Sequence, residues 1–136
     1  MAHRHIARWH VRQYELDSFG HVNNAVYLNY VEQIAVEHSE SEGVGRAWCE
    51  TNGGVWIVRS HQITYRLPAL GGDEIEVKTE VLGFKAATGS RHTTITRVKD
   101  AAILVECTTE WVWLKMPEGR PARVPGIIVE KMTPPV

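Results

Sequence analysis

The chain has 136 residues, a length that one domain accommodates. Hydrophobic residues make up 43% of the chain and charged residues 23%, which is enough apolar side chain for a buried core and excludes a disordered protein. The 15 lysines and arginines against 16 acidic residues give a net charge of -1, so no basic excess exists to bind nucleic acid.

The first half of the chain predicts one strand followed by one long helix. Residues 5–15 form a strand of mixed character, which ends in a turn over residues 17–20 with glycine at the favoured fourth position. Asn23 and Asn24 suit the cap of a helix, and the apolar residues behind them recur at helical spacing, so we expect a helix over about 24–40. The face that this helix buries is formed by Tyr27, Val31, Ile34, Ala35 and His38.

The second half of the chain predicts four strands. From Gly53 onward the apolar residues fall on alternate positions, until Pro68 ends the run. Residues 74–82 alternate between apolar and charged side chains, so one face of the sheet meets water. Residues 90–99 are rich in threonine, and a tight turn leads from them into residues 102–115, which predicts a hairpin. One strand, one helix and four strands in this order are typical of an antiparallel sheet packed against a single helix, and the predicted fold class is α+β.

The chain is expected to form a single domain, residues 1–136, with a core over about residues 5–116. Prolines crowd residues 117–136, so we predict an extended tail there. A sheet that curls around one helix leaves open edges, which proteins pair, cover or charge. Pairing of the edges of two copies solves this problem, so we expect a homo-oligomer with two-fold symmetry.

Targeting and redox features predict a cytoplasmic protein without a membrane partner. No apolar run approaches the roughly 20 residues that cross a bilayer. The first ten residues also lack the apolar stretch of a secretory signal. Cys49 and Cys107 belong to no C-x-x-C pair, so we expect two reduced thiols rather than a disulfide or a zinc site.

The densest cluster of polar residues lies at residues 14–28, between the first strand and the helix. Asp17 stands in the turn before the helix, where backbone N–H groups lack partners and the helix dipole is positive. Those donors can hold a carbonyl oxygen while the carboxylate attacks the carbonyl carbon or activates a water molecule. The arrangement predicts a hydrolase without a nucleophilic serine or cysteine. The structural alternative is a turn or capping aspartate, which is common at such positions.

This segment resembles the signature of the hotdog thioesterases, in particular the branch with 4-hydroxybenzoyl-CoA thioesterase and the bacterial long-chain acyl-CoA thioesterases. The matching residues are Asp17, His21-Val22-Asn23-Asn24, Tyr27-Leu28 and Glu32. Residues on the next strand and turn are similar to the family too, namely Val58-Arg59-Ser60, Ile63-Thr64-Tyr65, Pro68 and Gly72-Asp73. Since the aroyl-CoA enzymes lack His-Val-Asn-Asn, a fatty or medium-chain acyl group fits better than 4-hydroxybenzoyl.

The resemblance implies a hotdog fold, subunits joined edge to edge in a dimer or tetramer, and active sites at the subunit interface. It implies hydrolysis of an acyl-CoA thioester to the free acid and CoA, for which we expect neither a metal nor a bound cofactor. Asp17 is then the nucleophile or the general base. The backbone N–H of Asn24 is then the donor to the thioester carbonyl.

Other candidate site residues have a functional and a structural interpretation. His21 is a general acid or substrate contact, or it packs within the loop. The predicted substrate-binding residues are Asn23, Tyr27, Arg59, Ser60, Lys85 and Arg91. The cations at positions 85 and 91 are candidate partners of the CoA phosphates, or are solvated surface charges. Arg59 and His61 are expected on the strand face that carries Ile57 and Ile63, bordering the acyl pocket or an edge.

Two other functions are compatible with the same fold, because folds host many functions. A catalytically silent hotdog module would bind acyl thioesters without needing Asp17. A hotdog dehydratase would need a histidine and an acid suited to removing water, and His21 alone does not establish that pair. His3, His5 and His10 lack the spacing of zinc ligands, so no metal site is predicted.

Overall fold

A curled antiparallel sheet and one long helix form the fold. The computed structural model describes residues 2–136. Its strands are β1 (Arg4–His10), β2 (Gly54–Tyr65), β3 (Glu74–Lys85), β4 (Thr88–Arg97), β5 (Ile103–Lys115) and the short β6 (Arg120–Pro121). Its helices are α1 (Asn24–Ser41), α2 (Arg46–Thr51) and α3 (Gly126–Met132), with a 3-10 turn at Gln13–Glu15. The predicted α+β class is confirmed.

The strands follow the order β1-β3-β4-β5-β2, and every neighbouring pair is antiparallel. β4 and β5 form the predicted hairpin. β6 adds two residues beside the end of β5. β1 and β2 are therefore the edges of the sheet within residues 2–136.

The core lies between α1 and the concave face of the sheet. Alternation along β3 buries Ile75, Val77, Thr79 and Val81 and leaves the charged residues between them part-exposed, as predicted. On α1 the predicted inward face is confirmed, and Ile34 and His38 are fully buried. Each large apolar side chain buried in this way contributes about 1.5–3 kcal/mol to folding.

The observed ends of α1 agree with the prediction to within one residue. Asn23 is the N-cap, and its Oδ1 accepts the backbone N–H of Ala25 at 2.9 Å. At the other end Gly43 has a φ of +75°, which glycine adopts at little cost and which reverses the chain after the helix.

Two expectations about elements are wrong, and one short helix was not predicted. The N-terminal strand ends at His10 instead of residue 15, because the chain turns into the 3-10 segment. α2 was not predicted, since six residues are too few to show a helical period. The extended tail over 117–136 instead contains α3, with Pro125 at its N-cap. Ile128 and Met132 of α3 are buried against a second apolar cluster, which explains why this segment is helical.

Two further observations concern the whole chain. Cys49 and Cys107 are both buried, and neither forms a disulfide in this structure. No helix within residues 2–136 is long and apolar enough to cross a membrane.

Candidate functional site

A tight loop between the 3-10 turn and α1 carries the predicted catalytic aspartate. Gly20 N–H donates to Asp17 O at 3.1 Å, and Asp17 N–H donates to His21 O at 2.7 Å. Gly20 has a φ of +77°, which explains the glycine at this position. The loop is fixed at its base because Leu16 and Val22 form an antiparallel bridge.

The Asp17 carboxylate is oriented by the same loop. Its Oδ1 accepts the N–H groups of Phe19 at 2.9 Å and His21 at 3.1 Å. No residue of the described chain donates to its Oδ2, and the residue is exposed. One oxygen therefore holds the loop, and the other is available to a substrate or a water molecule.

The start of α1 lies beside this carboxylate. Asn23 N–H donates to Glu15 O at 2.9 Å, which ties the cap to the 3-10 turn. The N–H groups of Ala25 and Val26 are occupied by Oδ1 and O of Asn23. Asn24 N–H has no acceptor among residues 2–136, so the helix offers one free donor where its dipole is positive.

The acid and the free donor line one cavity of about 280 Å³. The lining residues are Asp17, His21, Val22, Asn24, Tyr27, Tyr65, Arg66, Leu67 and Pro68. Four of the predicted site residues, Asp17, His21, Asn24 and Tyr27, are thus brought together. The residues at positions 65–68 come from the end of β2 and the loop after it.

Sequence reasoning did not assign Tyr65 and Arg66 to the site. The Tyr65 hydroxyl donates to Asn24 O at 3.2 Å, and the Tyr65 ring lies 5.6 Å from that of Tyr27. Arg66 pairs with Glu106 at 2.7 Å and presents a cation beside the cavity. The motif similarity at Tyr65 was a signal for this strand, but only the fold shows that its end meets the start of α1.

Tyr27 supports the cavity wall. Its hydroxyl accepts the N–H of Ala69 at 2.9 Å, and burial raises the pKa of Tyr27 above 10.0. Behind it the Tyr30 hydroxyl donates to the buried Glu15 at 2.7 Å, and burial together with this carboxylate raises the pKa of Tyr30. Both phenols therefore stay neutral near pH 7 and fix the helix on the loop.

Five predicted substrate-binding residues lie outside this cavity in one chain. Asn23 uses its side-chain oxygen as the helix cap. Ser60 and Lys85 are exposed on β2 and β3. Arg59 points to the outer face of the sheet and pairs with Glu110 at 3.3 Å.

Arg91 is buried, with 9% of its surface exposed. Its Nη1 lies 2.8 Å from Nδ1 of His38, beneath the far end of α1. Because Arg91 is buried beneath α1 rather than exposed, the structure gives no support to a contact with CoA phosphates at the protein surface.

The prediction that Arg59 and His61 share one strand face with Ile57 and Ile63 is wrong. A bulge between Val58 and Ser60 inserts one residue and reverses the alternation of β2. His61 therefore lies on the inner face, where its Nδ1 is 2.8 Å from Thr109 Oγ1.

The histidines near the N-terminus do not gather as metal ligands. His5 stacks on His38 with ring centroids 5.7 Å apart. No group of three histidine, cysteine, aspartate or glutamate side chains within residues 2–136 is placed to hold a metal ion.

Comparison with known proteins agrees with this fold. The profile of the Thioesterase-like superfamily matches residues 11–132. The chloroplastic acyl-acyl carrier protein thioesterase ATL3 of Arabidopsis thaliana is 32% identical over 131 residues, covering 96% of this chain and 68% of that protein. The long-chain acyl-CoA thioesterase FadM of Escherichia coli is 25% identical over 125 residues, covering 90% of this chain and 92% of that protein.

Solved structures show the same fold. A 1,4-dihydroxy-2-naphthoyl-CoA thioesterase from Synechocystis superposes with a TM-score of 0.86 at 18% identity, over 97% of this chain and 99% of that one. An acyl-ACP thioesterase from Bacteroides thetaiotaomicron superposes with a TM-score of 0.87 at 17% identity, over 98% of this chain and 54% of that one.

The chain belongs to the thioesterase-like superfamily, and its fold is the hotdog fold. Both expectations from the sequence are confirmed. Family membership supports a thioester hydrolase that acts on acyl thioesters.

Proposed function

We propose that this protein hydrolyses an acyl-CoA thioester to a free acid and CoA, with Asp17 and the backbone N–H of Asn24 as its catalytic groups. The observation that carries the proposal is that this carboxylate and this unpaired donor line one cavity. A thioester in that cavity can place its carbonyl oxygen on Asn24 N–H and its carbonyl carbon near Asp17.

The proposed chemistry follows from the two oxygens of Asp17. Oδ1 stays bound to the loop, and Oδ2 either attacks the carbonyl carbon or takes a proton from an attacking water molecule. The carbonyl oxygen becomes negative and is stabilised by Asn24 N–H at the positive end of α1. Collapse of the tetrahedral intermediate breaks the C–S bond and expels the CoA thiolate. If Asp17 is the nucleophile, water then hydrolyses the acyl–Asp17 anhydride and restores the carboxylate; in both routes water supplies the oxygen of the acid and the proton of the thiol.

Two cavity residues have supporting roles in this proposal. Tyr65 holds the carbonyl oxygen of Asn24, which fixes the first turn of α1 relative to β2. His21 lines the cavity and its backbone N–H orients the Asp17 carboxylate, and we propose that its side chain contacts the leaving group.

The proposal also specifies which carrier, CoA or acyl carrier protein, holds the acyl group. We propose CoA because FadM, whose name specifies acyl-CoA, is matched over nearly its whole length. The match to ATL3 makes acyl carrier protein the alternative carrier. A panel of acyl-CoAs and the corresponding acyl-acyl carrier proteins, followed by release of free thiol, distinguishes the two.

The central test is the substitution Asp17→Asn. The amide keeps an oxygen for the N–H groups of Phe19 and His21 but loses the charge, so thiol release should fall at least about a hundredfold while folding is retained. The matched control is Asp100→Asn, because Asp100 also accepts a backbone N–H two residues ahead, in the remote β4–β5 turn. The control should retain native turnover.

Two outcomes would contradict the proposal. Native turnover in the Asp17→Asn protein would remove the catalytic role of the acid. Binding of every acyl thioester in the panel without turnover by the native protein would favour a silent binding module. Hydrolysis after treatment with a chelator is also expected, since we propose that no metal takes part.

The proposed assembly is a homodimer or homotetramer with active sites at the subunit interface. β2 is a long edge strand whose Tyr65 lines the cavity, so a partner that paired with this edge would complete the walls of the site. A cytoplasmic location remains the prediction from the sequence.

A further inference from the structure

A second polar group lies beneath the C-terminal half of α1, at the opposite end from Asp17. Arg91 Nη1 is 2.8 Å from His38 Nδ1 and 3.4 Å from Thr79 Oγ1. His38 Nε2 is 2.7 Å from Ala2 O. Burial, and next the charge of Arg91, lower the pKa of His38 to about 4. The histidine is therefore neutral, accepts from Arg91 and donates to Ala2.

The buried cation has no anionic partner. Arg91 forms no ion pair with any carboxylate of the described chain, and both of its hydrogen bonds use Nη1 and go to neutral groups. Burying an unpaired charge is costly, so such a group favours a ligand that brings the opposite charge.

Arg91 lines a large cavity that shares no residue with the Asp17 cavity. The volume is about 580 Å³, within the range of small-molecule sites. Most of its wall is apolar. The large apolar side chains in this wall are those of Trp56, Val81, Phe84, Trp111, Ile128 and Met132. Glu50, which also lines it, is exposed and pairs with Arg46 at 3.0 Å rather than with Arg91.

A second donor in the same wall lacks a partner. The indole N–H of Trp111 is buried and has no acceptor within residues 2–136. In the β4–β5 ladder Arg91 pairs with Thr109 and Gly89 pairs with Trp111, so Arg91 and Trp111 are diagonal neighbours on the inner face. Diagonal side chains on adjacent strands lie about 7–8 Å apart at their bases, close enough for both to reach one bound group. Arg91, which carries the unpaired charge, and Trp111, whose indole N–H lacks an acceptor within residues 2–136, thus line the same apolar cavity.

We propose that this cavity binds a free fatty acid, with its aliphatic chain against the tryptophans and its carboxylate accepting from Arg91 and from the Trp111 indole. A carboxylate supplies the missing charge and two acceptor oxygens, and the hydrocarbon chain matches the apolar wall. A free acid is also the product of thioester hydrolysis, so the cavity would retain or sense product at a place distinct from Asp17. The proposal does not depend on the catalytic role of Asp17.

The test compares decanoate with 1-decanol on the native protein. Trp56 and Trp111 line this cavity and no tryptophan lines the Asp17 cavity, so tryptophan fluorescence follows binding at the proposed site. We expect decanoate to bind at least about tenfold more tightly than decanol, because only the carboxylate forms charge-assisted hydrogen bonds. In nuclear magnetic resonance spectra decanoate should shift the Trp111 indole N–H, identified with Trp111→Phe.

Two variants locate the carboxylate. In Arg91→Met the preference for decanoate over decanol should vanish while decanol still binds, and apolar replacement of a buried charge is often tolerated. Trp111→Phe keeps the ring and removes the donor, so decanoate should weaken severalfold and decanol should not, which tests the site even if Arg91→Met does not fold. Asp17→Asn should bind decanoate like the native protein. Equal affinity for the two ligands, or an unchanged preference in both cavity variants, would overturn the proposal.

Discussion

At the scale of single residues, the proposed catalytic pair works through one side chain and one main-chain group. Asp17 is held by two N–H groups of its own loop, whereas Asn24 contributes its backbone and leaves its side chain exposed. The motif predicted both residues, because an acid before a helix N-terminus is recognisable in a sequence. It left open which of Asn23 and Asn24 caps the helix, and the structure shows that Asn23 is the cap.

Asn24→Pro tests the backbone donor directly. Proline is favoured at the first position of a helix, and Asn23 has a φ of −58° and a ψ of 134°, which the residue before a proline adopts readily. The substitution should therefore preserve folding and remove only the N–H, lowering kcat by about a hundredfold to a thousandfold. Asn24→Ala, which keeps the N–H, should retain most of the native kcat. Equal rates for the two variants in steady-state assays would contradict the role of this donor.

At the scale of elements, regular periods were predictable and irregularities were not. The 3.6-residue period located α1, and the alternation in residues 74–82 located β3, because long regular elements repeat their burial pattern many times. In β2 the bulge at Arg59 inserts one residue and reverses the alternation of the side chains. For this reason the sequence predicts one common face for Arg59 and His61, whereas the structure places them on opposite faces. α3 is not predictable from the proline content of this segment, because the prolines lie before and after the helix and not within it.

The packing of β2 against β5 leaves no room for a side chain at Gly54. A Cβ at this position would lie 2.0 Å from a ring atom of Trp113, whose ring is held by Trp56 at 5.3 Å. Gly54→Ala should therefore lower the free energy of unfolding by about 1–3 kcal/mol, the usual cost of overpacking. Gly126→Ala is the control, since a Cβ there meets open space at the start of α3. Urea denaturation of both variants gives the comparison, and a native midpoint for Gly54→Ala would refute the expected clash.

At the scale of the whole molecule, the two cavities lie near opposite ends of α1. His38 lies fourteen residues beyond Asn24, which places these two residues roughly 21 Å apart along the helix axis at 1.5 Å per residue. The resemblance to the hotdog thioesterases predicted the fold and the residues of the Asp17 cavity that carry the motif. It gave no sign of the second cavity, because Arg91, His38 and Trp111 come from distant parts of the sequence and meet only in three dimensions.

The stability of the molecule should depend on pH through His38. Its pKa falls from 6.5 to about 4 on folding, so the unfolded chain binds more protons between these values. The free energy of unfolding should therefore be highest above pH 6.5 and should fall as the pH drops towards 4, by roughly 3 kcal/mol from this residue. Urea midpoints from pH 4.5 to 7.5 measure the slope. His38→Gln should flatten it, and the exposed control His10→Gln should not; the same slope in all three proteins would exclude His38 as its source.

The Asp17 loop has a consequence for how this scaffold can diversify. Residues 15–24 form one continuous piece, closed by the hydrogen bond from Asn23 N–H to Glu15 O, and the proposed acid and donor both belong to it. Their relative geometry is set largely by the hydrogen bonds within this segment. Changes in the sheet or in the second helix can therefore reshape what is recognised while the reacting groups keep their spacing, so chemistry and selectivity are able to evolve as separate modules.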